Sequence, residues 1–417
     1  MNRRRKIPVE QSSYQVYGYR WVMILVFMLI ILINQMLWIS FAPITSEAAA
    51  HFKVSELEIG LLSMSFMIVY ILVSFPASWV IDTFGIRVGV GIGAALTGIF
   101  GVMRGLVTPD YTLVLIAQIG IGIGQPFILN AMTKVAARWF RVEDRATMTG
   151  MGSLSMYLGI ILGMVLTPFM VGRTGIDAML LGYGIIAVIV AAAFLILAKE
   201  RPPTAPCPPE LEERSLVLDG LKQTLRKRDF ILMLVIFFVG LGAFNAVTTW
   251  IEEILSPRGF SMEEAGITGG LMVAAGVVGA VAMPLLSDRI RKRVPFIILA
   301  LVGTIPGLIG IAFAPSYGLL LLSAFVLGFF LLSAGPIGFQ YGAEIAYPAP
   351  EGTSNGLLLL IGQISGILFI LGMDSFRSPS DGSMTISLVV IIGLLALCLL
   401  IAFLLKEPKV IVGDEVS

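Results

Sequence analysis

Long apolar blocks, broken by short polar turns, repeat along the whole chain. Twelve of them fall at roughly 20–46, 57–81, 88–107, 111–138, 146–172, 176–198, 229–255, 264–287, 295–314, 317–343, 353–374 and 383–405. Each is close to the ~20 residues that carry a helix across a ~30 Å hydrocarbon core. The pattern predicts an all-α membrane protein with twelve transmembrane helices. The first block follows "MNRRRK" and has no small-residue cleavage site after it, so it reads as a span and not as a signal peptide.

Composition agrees: 57% of the 417 residues are hydrophobic, 13% are charged, and the mean hydropathy is +0.94. A soluble domain would be about one quarter charged. Of the 28 Lys and Arg residues, 23 fall on the side that holds both termini. Only Lys53, Arg104, Arg173, Arg258 and Arg377 fall on the other. By the positive-inside rule both termini are cytoplasmic, and a multi-pass protein of the plasma membrane is expected. The basic residues are then topological anchors, and a net charge of +1 does not point to nucleic acid. Cys207 sits in the central loop and Cys398 in the last span, so no disulfide is expected. His51 cannot make a metal site alone, and no phosphate loop, catalytic triad or ligand cluster is present. No enzyme, metal or cofactor is expected; a monomer in the lipid bilayer, acting on a small molecule, is.

The longest connection, "KERPPTAPCPPELEERSLVLDGLKQTLRKRD", divides the chain into a first half (1–198), a cytoplasmic linker (199–228) and a second half (229–417). Leu211, Leu218, Leu221 and Leu225 fit one helical face, so part of the linker is either a surface-lying helix or a solvated tether. The halves resemble each other. Aligning Glu58-x-Gly60 with Glu264-x-Gly266 gives an offset of 206 and sets Trp38 opposite Phe244. "SWVIDTFGIR" after the second span answers "PLLSDRIRKR" after the eighth, and "EDRATMTG" after the fourth answers "EGTSNG" after the tenth. Duplicated six-span units are the mark of a transporter with a midplane site between its halves. The turn after the second span also resembles the loop motif of the major facilitator superfamily: Ser78, Asp82 and Gly85 fit, while Thr83 replaces the usual basic residue. The resemblance implies that superfamily's fold, two pseudo-symmetric six-helix bundles.

Polar side chains inside the spans are the candidates for function, because lipid does not solvate them. Gln363 lies ~18 Å up its helix from Glu351 at 1.5 Å per residue, near mid-depth. Gln125, in "GIGIGQPFILN", lies at a similar depth above Arg138. Transmembrane glutamines also bond neighbouring helices, but the matched depth of this pair favours a site. Trp38 on the first span, with Asn34 and Gln35 one turn before it, and Phe244 and Asn245 on the seventh complete the candidate contacts. Amides donate and accept and an indole face attracts a cation, which suits a cationic or zwitterionic organic solute. No carboxylate lies at mid-depth, which favours a facilitator over a proton-driven pump. Glu252, Glu253, Arg104 and Asp374 are expected at the outer membrane surface, as exposed or anchoring charges.

Two inner latches are expected to close the cytoplasmic side. Asp82 and Arg87 would meet the start of the eleventh span with Glu344 or Glu351; Asp288 and Arg289 would meet the start of the fifth span and Arg145. Simple charge neutralisation at the surface explains the same residues.

A narrower resemblance rests on "FPASWVIDTFGIR" (75–87), "AQ…GQPFILN…KVAARWF" (117–140) and "EIAYPAPEGTSNGLL…Q…GILF" (344–369). These stretches resemble the feline leukaemia virus subgroup C receptor family, facilitators associated with haem, choline and ethanolamine. The resemblance implies that Trp38 is the substrate-facing tryptophan and that Gln125 and Gln363 are the two cavity glutamines. It departs in span seven, where Asn245, beside Phe244, stands in place of the family's tyrosine. Short loops suggest a prokaryotic plasma-membrane relative. The expectation is a choline- or ethanolamine-like cargo carried by alternating access, as a uniporter. Rivals are haem transport, a proton-coupled exporter of drugs or amphiphiles, and a membrane receptor that no longer transports.

Overall fold

A computed structural model describes residues 16–204, 224–347 and 351–408; the side chains of 142, 143, 146 and 351–353 are outside that description. Among the described residues eleven helices are long and apolar enough to cross a membrane. One of them, Thr147–Leu197, has 51 residues, about 76 Å at 1.5 Å each, enough for two crossings. The break is at Gly175, whose φ of 81° lies where a side chain is strained. Twelve crossings result, as the apolar blocks predict.

Spans are numbered in chain order: 1 Arg20–Ile39, 2 Glu56–Phe84, 3 Ile86–Leu106, 4 Tyr111–Leu129, and 5 and 6 within Val142–Leu197. The second set is 7 Arg228–Thr249, 8 Met262–Ile290, 9 Val294–Phe313, 10 Tyr317–Ala346, 11 Glu351–Ser375 and 12 Thr385–Ala402. Spans 1 and 7 are shorter than their apolar blocks. Each breaks and resumes as a short helix, Thr45–Phe52 after the first and Ile251–Leu255 after the seventh. The linker stretch 205–223, with the expected amphipathic face, lies outside the described residues.

The repeat is visible in detail. Spans 2 and 8 both begin with a reciprocal cap: Glu58 N–H donates to Ser55 Oγ at 3.3 Å and Glu264 N–H to Ser261 Oγ at 3.2 Å, and each glutamate accepts from the serine's own amide. Two helix pairs hold the halves together, span 2 against span 11 and span 5 against span 8. Close approach is built on small residues. At Gly266 of span 8 a methyl group would sit 2.4 Å from the Met164 carbonyl oxygen and 2.8 Å from Pro168.

Candidate functional site

A cavity of about 1780 Å³ lies between the halves. It runs from Gln35, Trp38 and Asn245 in the middle of the bundle to Asp82, Lys134 and Asp288 at its mouth, on the face where the described residues begin and end. Its two walls differ. The first-half wall is polar. Tyr70 donates to Asn130 at 2.8 Å, and the Asn130 amide donates to the hydroxyls of Ser74 and Ser78 at 2.9 and 3.0 Å. The second-half wall is mostly apolar, with Phe237, Leu241, Val277, Leu301, Leu332 and Phe339 along it.

Six of the seven predicted contacts line this cavity: Gln35, Trp38, Gln125, Phe244, Asn245 and Gln363. Among the described residues Gln125 and Gln363 have no hydrogen-bond partner, so neither is bonding a neighbouring helix and both amides are open to the cavity. The Gln35 Nε2 group is likewise without a partner. Trp38 donates its indole N–H to the Ser63 carbonyl at 3.2 Å, which leaves the ring as its contact surface. Asn245 makes a long bond, 3.4 Å, to the Gly362 carbonyl on span 11.

Asn34 is the exception. It is fully buried and donates to Thr97 Oγ1 at 3.1 Å, inside the first half. Neighbours on a helix point ~100° apart, so Asn34 and Gln35 cannot share one face.

The described ion pairs at the mouth each lie within one half. Asp82 pairs with Lys134 at 2.7 Å; Arg138 pairs with Glu200, which also accepts from the Arg87 amide at 2.7 Å. Arg293 pairs with Asp288 and, at 3.0 Å, with Glu344. Arg145 donates to the Ala137 carbonyl at 3.2 Å, and Arg289 is exposed. Among the described residues Asp82, Asp288 and Glu344 pair within their own bundles; the start of span 11, where the first latch is expected, has side chains outside the described residues. The Glu351 side chain lies outside the described residues.

The opposite face is shut, and here the expectation of exposed charge fails. Glu252 and Glu253 are only 6% and 1% exposed. Ser46 of the first half bonds both: its amide reaches Glu252 Oε2 at 2.9 Å, and its hydroxyl lies 2.8 Å from an oxygen of each carboxyl. Arg377 ties Glu253 to Glu56 across the halves. Behind them Trp250, fully buried, donates to the Ile370 carbonyl at 3.1 Å and lies against Gly60. Burial, reinforced by the neighbouring Glu253 carboxyl, pushes the Glu252 carboxyl up to about 7 from an ordinary 4.5. Arg104 is not an interfacial anchor either. It is wholly buried and donates to the Leu37 carbonyl, Ser40 and Gln118, at 2.7 Å for the last. It thus caps the broken end of span 1 with a positive charge.

Two six-span bundles around one cavity, open at one face and sealed at the other, are the architecture of a membrane transporter. The model of the Major Facilitator Superfamily matches residues 18–370, and the chain belongs to that superfamily. Over most of its length it is similar to solute carrier family 49 member A3 of Xenopus tropicalis, 31% identical over 89% of this chain and 80% of that one. It is also similar to the choline/ethanolamine transporter FLVCR1 of Mus musculus, 28% identical over 91% of this chain and 75% of that one. The resemblance carried by residues 75–87, 117–140 and 344–369 thus extends along the chain. A bacterial homologue of the human lysosomal transporter Spinster, solved inward-facing and unoccupied, superposes with a TM-score of 0.74 at 17% identity. It covers 97% of this chain and 100% of that one, a likeness that shows the fold.

Proposed function

We propose that this chain carries a small cationic or zwitterionic organic solute, of choline or ethanolamine type, across its membrane by alternating access and without ion coupling. The observation that carries the reading is the group of bond-free amides, Gln35, Gln125 and Gln363, beside the Trp38 ring, in a cavity whose carboxylates Asp82 and Asp288 both belong to the mouth. A quaternary or primary ammonium is held over an indole face by ~0.5–2 kcal/mol, and amides complete its solvation without a charge that needs neutralising. FLVCR1, named a choline/ethanolamine transporter, is a relative over most of the chain. The strong basic bias of the loops at the mouth supports a cytoplasmic placing of that side, so that in our reading the mouth faces the cytoplasm of a plasma-membrane protein. The protein works as a monomer, each half moving as a unit about the midplane.

The apolar second-half wall and the volume of about 1780 Å³ favour a second reading, an amphiphilic cargo such as a drug-like or haem-like molecule. One experiment tests both. The melting temperature of the purified protein is measured against choline, ethanolamine, betaine, haem and amino acids, since a ligand of the native state raises it. Uptake into proteoliposomes is then followed for any hit. The first reading expects a shift with one amine that disappears in Trp38→Ala and Gln363→Ala, with uptake lost in Gln125→Ala and Gln363→Ala although both stay folded. Wild-type uptake in either glutamine variant overturns it; a shift with haem alone moves the assignment to the second reading.

A further inference from the structure

The closed face carries a contact whose hydrogens can be counted. The Ser46 hydroxyl oxygen lies 2.8 Å and 2.9 Å from the two oxygens of Glu252 and 2.8 Å from Glu253 Oε1. A hydroxyl has one hydrogen to give, and an ionised carboxylate has none. The Ser46 amide adds a single hydrogen, directed to Glu252 Oε2 at 2.9 Å. One hydroxyl hydrogen serves one carboxyl, and two oxygens at 2.8 Å with nothing between them repel. The second carboxyl must therefore bring a hydrogen of its own.

Charge leads to the same count. Glu253 is paired with Arg377, but that guanidinium also serves Glu56. Of the other charged groups on the surrounding elements, Lys53 at the end of the short helix and Arg173 are exposed to solvent, and the rest are engaged elsewhere or share the sign of the pair. His51 of the short helix Thr45–Phe52 pairs with Asp177 at 2.9 Å inside the first half, and Glu47 on that helix is exposed. Arg258 bonds the Ile311 and Ala314 carbonyls. Glu264, beside Glu263 at the start of span 8, caps that helix through the Ser261 amide; Asp374 stands one turn before Arg377 on span 11. Two adjacent carboxyls, both buried, cannot each hold a full charge on half an arginine.

We infer that Glu252 and Glu253 hold one shared proton whenever this face is closed, and that release of the proton opens it. Ser46 and Glu252 are 206 residues apart, the offset of the repeat itself, so they are equivalent positions meeting beside the pseudo-twofold axis. A rocking motion that parts the halves on this face must part them. Towards solvent the pair meets Arg377 and Glu56, whose side chains are 22% and 39% exposed. The proton leaves and returns on this side alone, so it sets the gate without driving the cargo. The sign follows from the raised affinity of the closed state: acid favours closure, and closure weakens as the pH rises through about 7. With an open-state value near the ordinary 4.5, the closed-to-open ratio falls about thirty-fold between pH 5.5 and pH 8.

The test uses the full-length protein with Cys207→Ser and Cys398→Ser, and spin labels on Ala50→Cys and Ser380→Cys, both exposed positions on the closed face. Distances between the labels are measured at pH 5.5 and pH 8. The short-distance population should dominate at pH 5.5 and lose about thirty-fold in ratio by pH 8. In Glu252→Gln, whose amide supplies the missing hydrogen permanently, it should dominate at both. Infrared difference spectra give a second readout: a protonated-carboxyl band at pH 6 that is absent from Glu252→Gln. A pH-independent distance in the wild type, a Glu252→Gln variant that opens, or no carboxyl band overturns the inference. Neither measurement uses a cargo, so a wrong cargo in the preceding section leaves the result readable.

Discussion

The two faces of this transporter neutralise charge in opposite ways. On the closed face contacts bridge the halves, Ser46 with Glu252 and Glu253, Glu56 with Arg377 and Gly60 with Trp250, beside the Arg377–Glu253 pair inside the second half. At the mouth the described ion pairs lie within one half: Lys134 with Asp82, Arg293 with Asp288 and Glu344. Burial divides some of these groups but not all, since Arg293 and Glu344 at the mouth are each 10% exposed. The Glu253 side chain is 2% exposed, whereas those of Asp82 and Asp288 are 43% and 60% exposed. An ion pair out of water is costly to break from one side, while one in water is nearly neutral. The buried contacts that tie the halves together, Ser46 with Glu252 and Glu253 and Arg377 reaching Glu56, lie at the closed face. The mouth charges are satisfied locally and remain available for another arrangement.

The largest effect expected from this contrast is at Arg377. Arg377→Ala leaves Glu253 buried without a cation, which costs about 3–5 kcal/mol in comparable buried pairs. The melting temperature should fall, or the spin-label distance across that face should lengthen at a pH where the wild type is closed. If neither moves, the two faces are energetically alike and the contrast is wrong.

A smaller effect separates two glycines. Gly266→Ala drives a methyl group onto the Met164 carbonyl, backbone that cannot rotate away, and should destabilise by about 1–3 kcal/mol. Gly150, on span 5 at the mouth, has nothing within 4 Å of an added Cβ. Gly150→Ala should be neutral or stabilise by up to about 1 kcal/mol, through helix propensity alone. Thermal melts of both variants in one detergent check the pair. Equal losses would mean that the span 5–span 8 packing is not what seals the closed face.

The same contrast explains what could be read from the chain. Spans are legible because lipid demands continuous apolar length, and the repeat supplied their pairing. Gln125 and Gln363 are legible because an amide in such a run is rare and depth follows from helix rise. Asn34 was grouped with Gln35 by proximity, although a step of ~100° per residue already separates them. The closed face was not legible. "TTWIEEIL" reads as the polar end of a span, and nothing in it marks the bend at Trp250, with φ −98° and ψ 20°, that turns Glu252 and Glu253 inward. Arg104 looked like an anchor because its partners, the Leu37 carbonyl, Ser40 and Gln118, lie on other spans. The latches are a different case: one sequence serves at least two conformations, and this one shows Asp82 beside Lys134 and Glu344 beside Arg293 with the mouth open.

The smallest structural effect is expected at Asp82, and it tests whether those residues are held in reserve. The Asp82–Lys134 pair is half in water, so Asp82→Asn should change the stability of this conformation by less than about 1 kcal/mol. If Asp82 also bonds the start of span 11 when the mouth closes, the same variant removes one charge-assisted hydrogen bond, about 1.5–3 kcal/mol, from that state alone. Transport of the cargo identified by the melting screen should then slow about tenfold or more, with binding to the open cavity unchanged. Lys134→Gln separates the two roles: it removes the partner used here and leaves the reserved one, so its transport should stay near wild type. Equal slowing in both variants would mean that the pair acts only in the open conformation, and that the mouth closes through other residues.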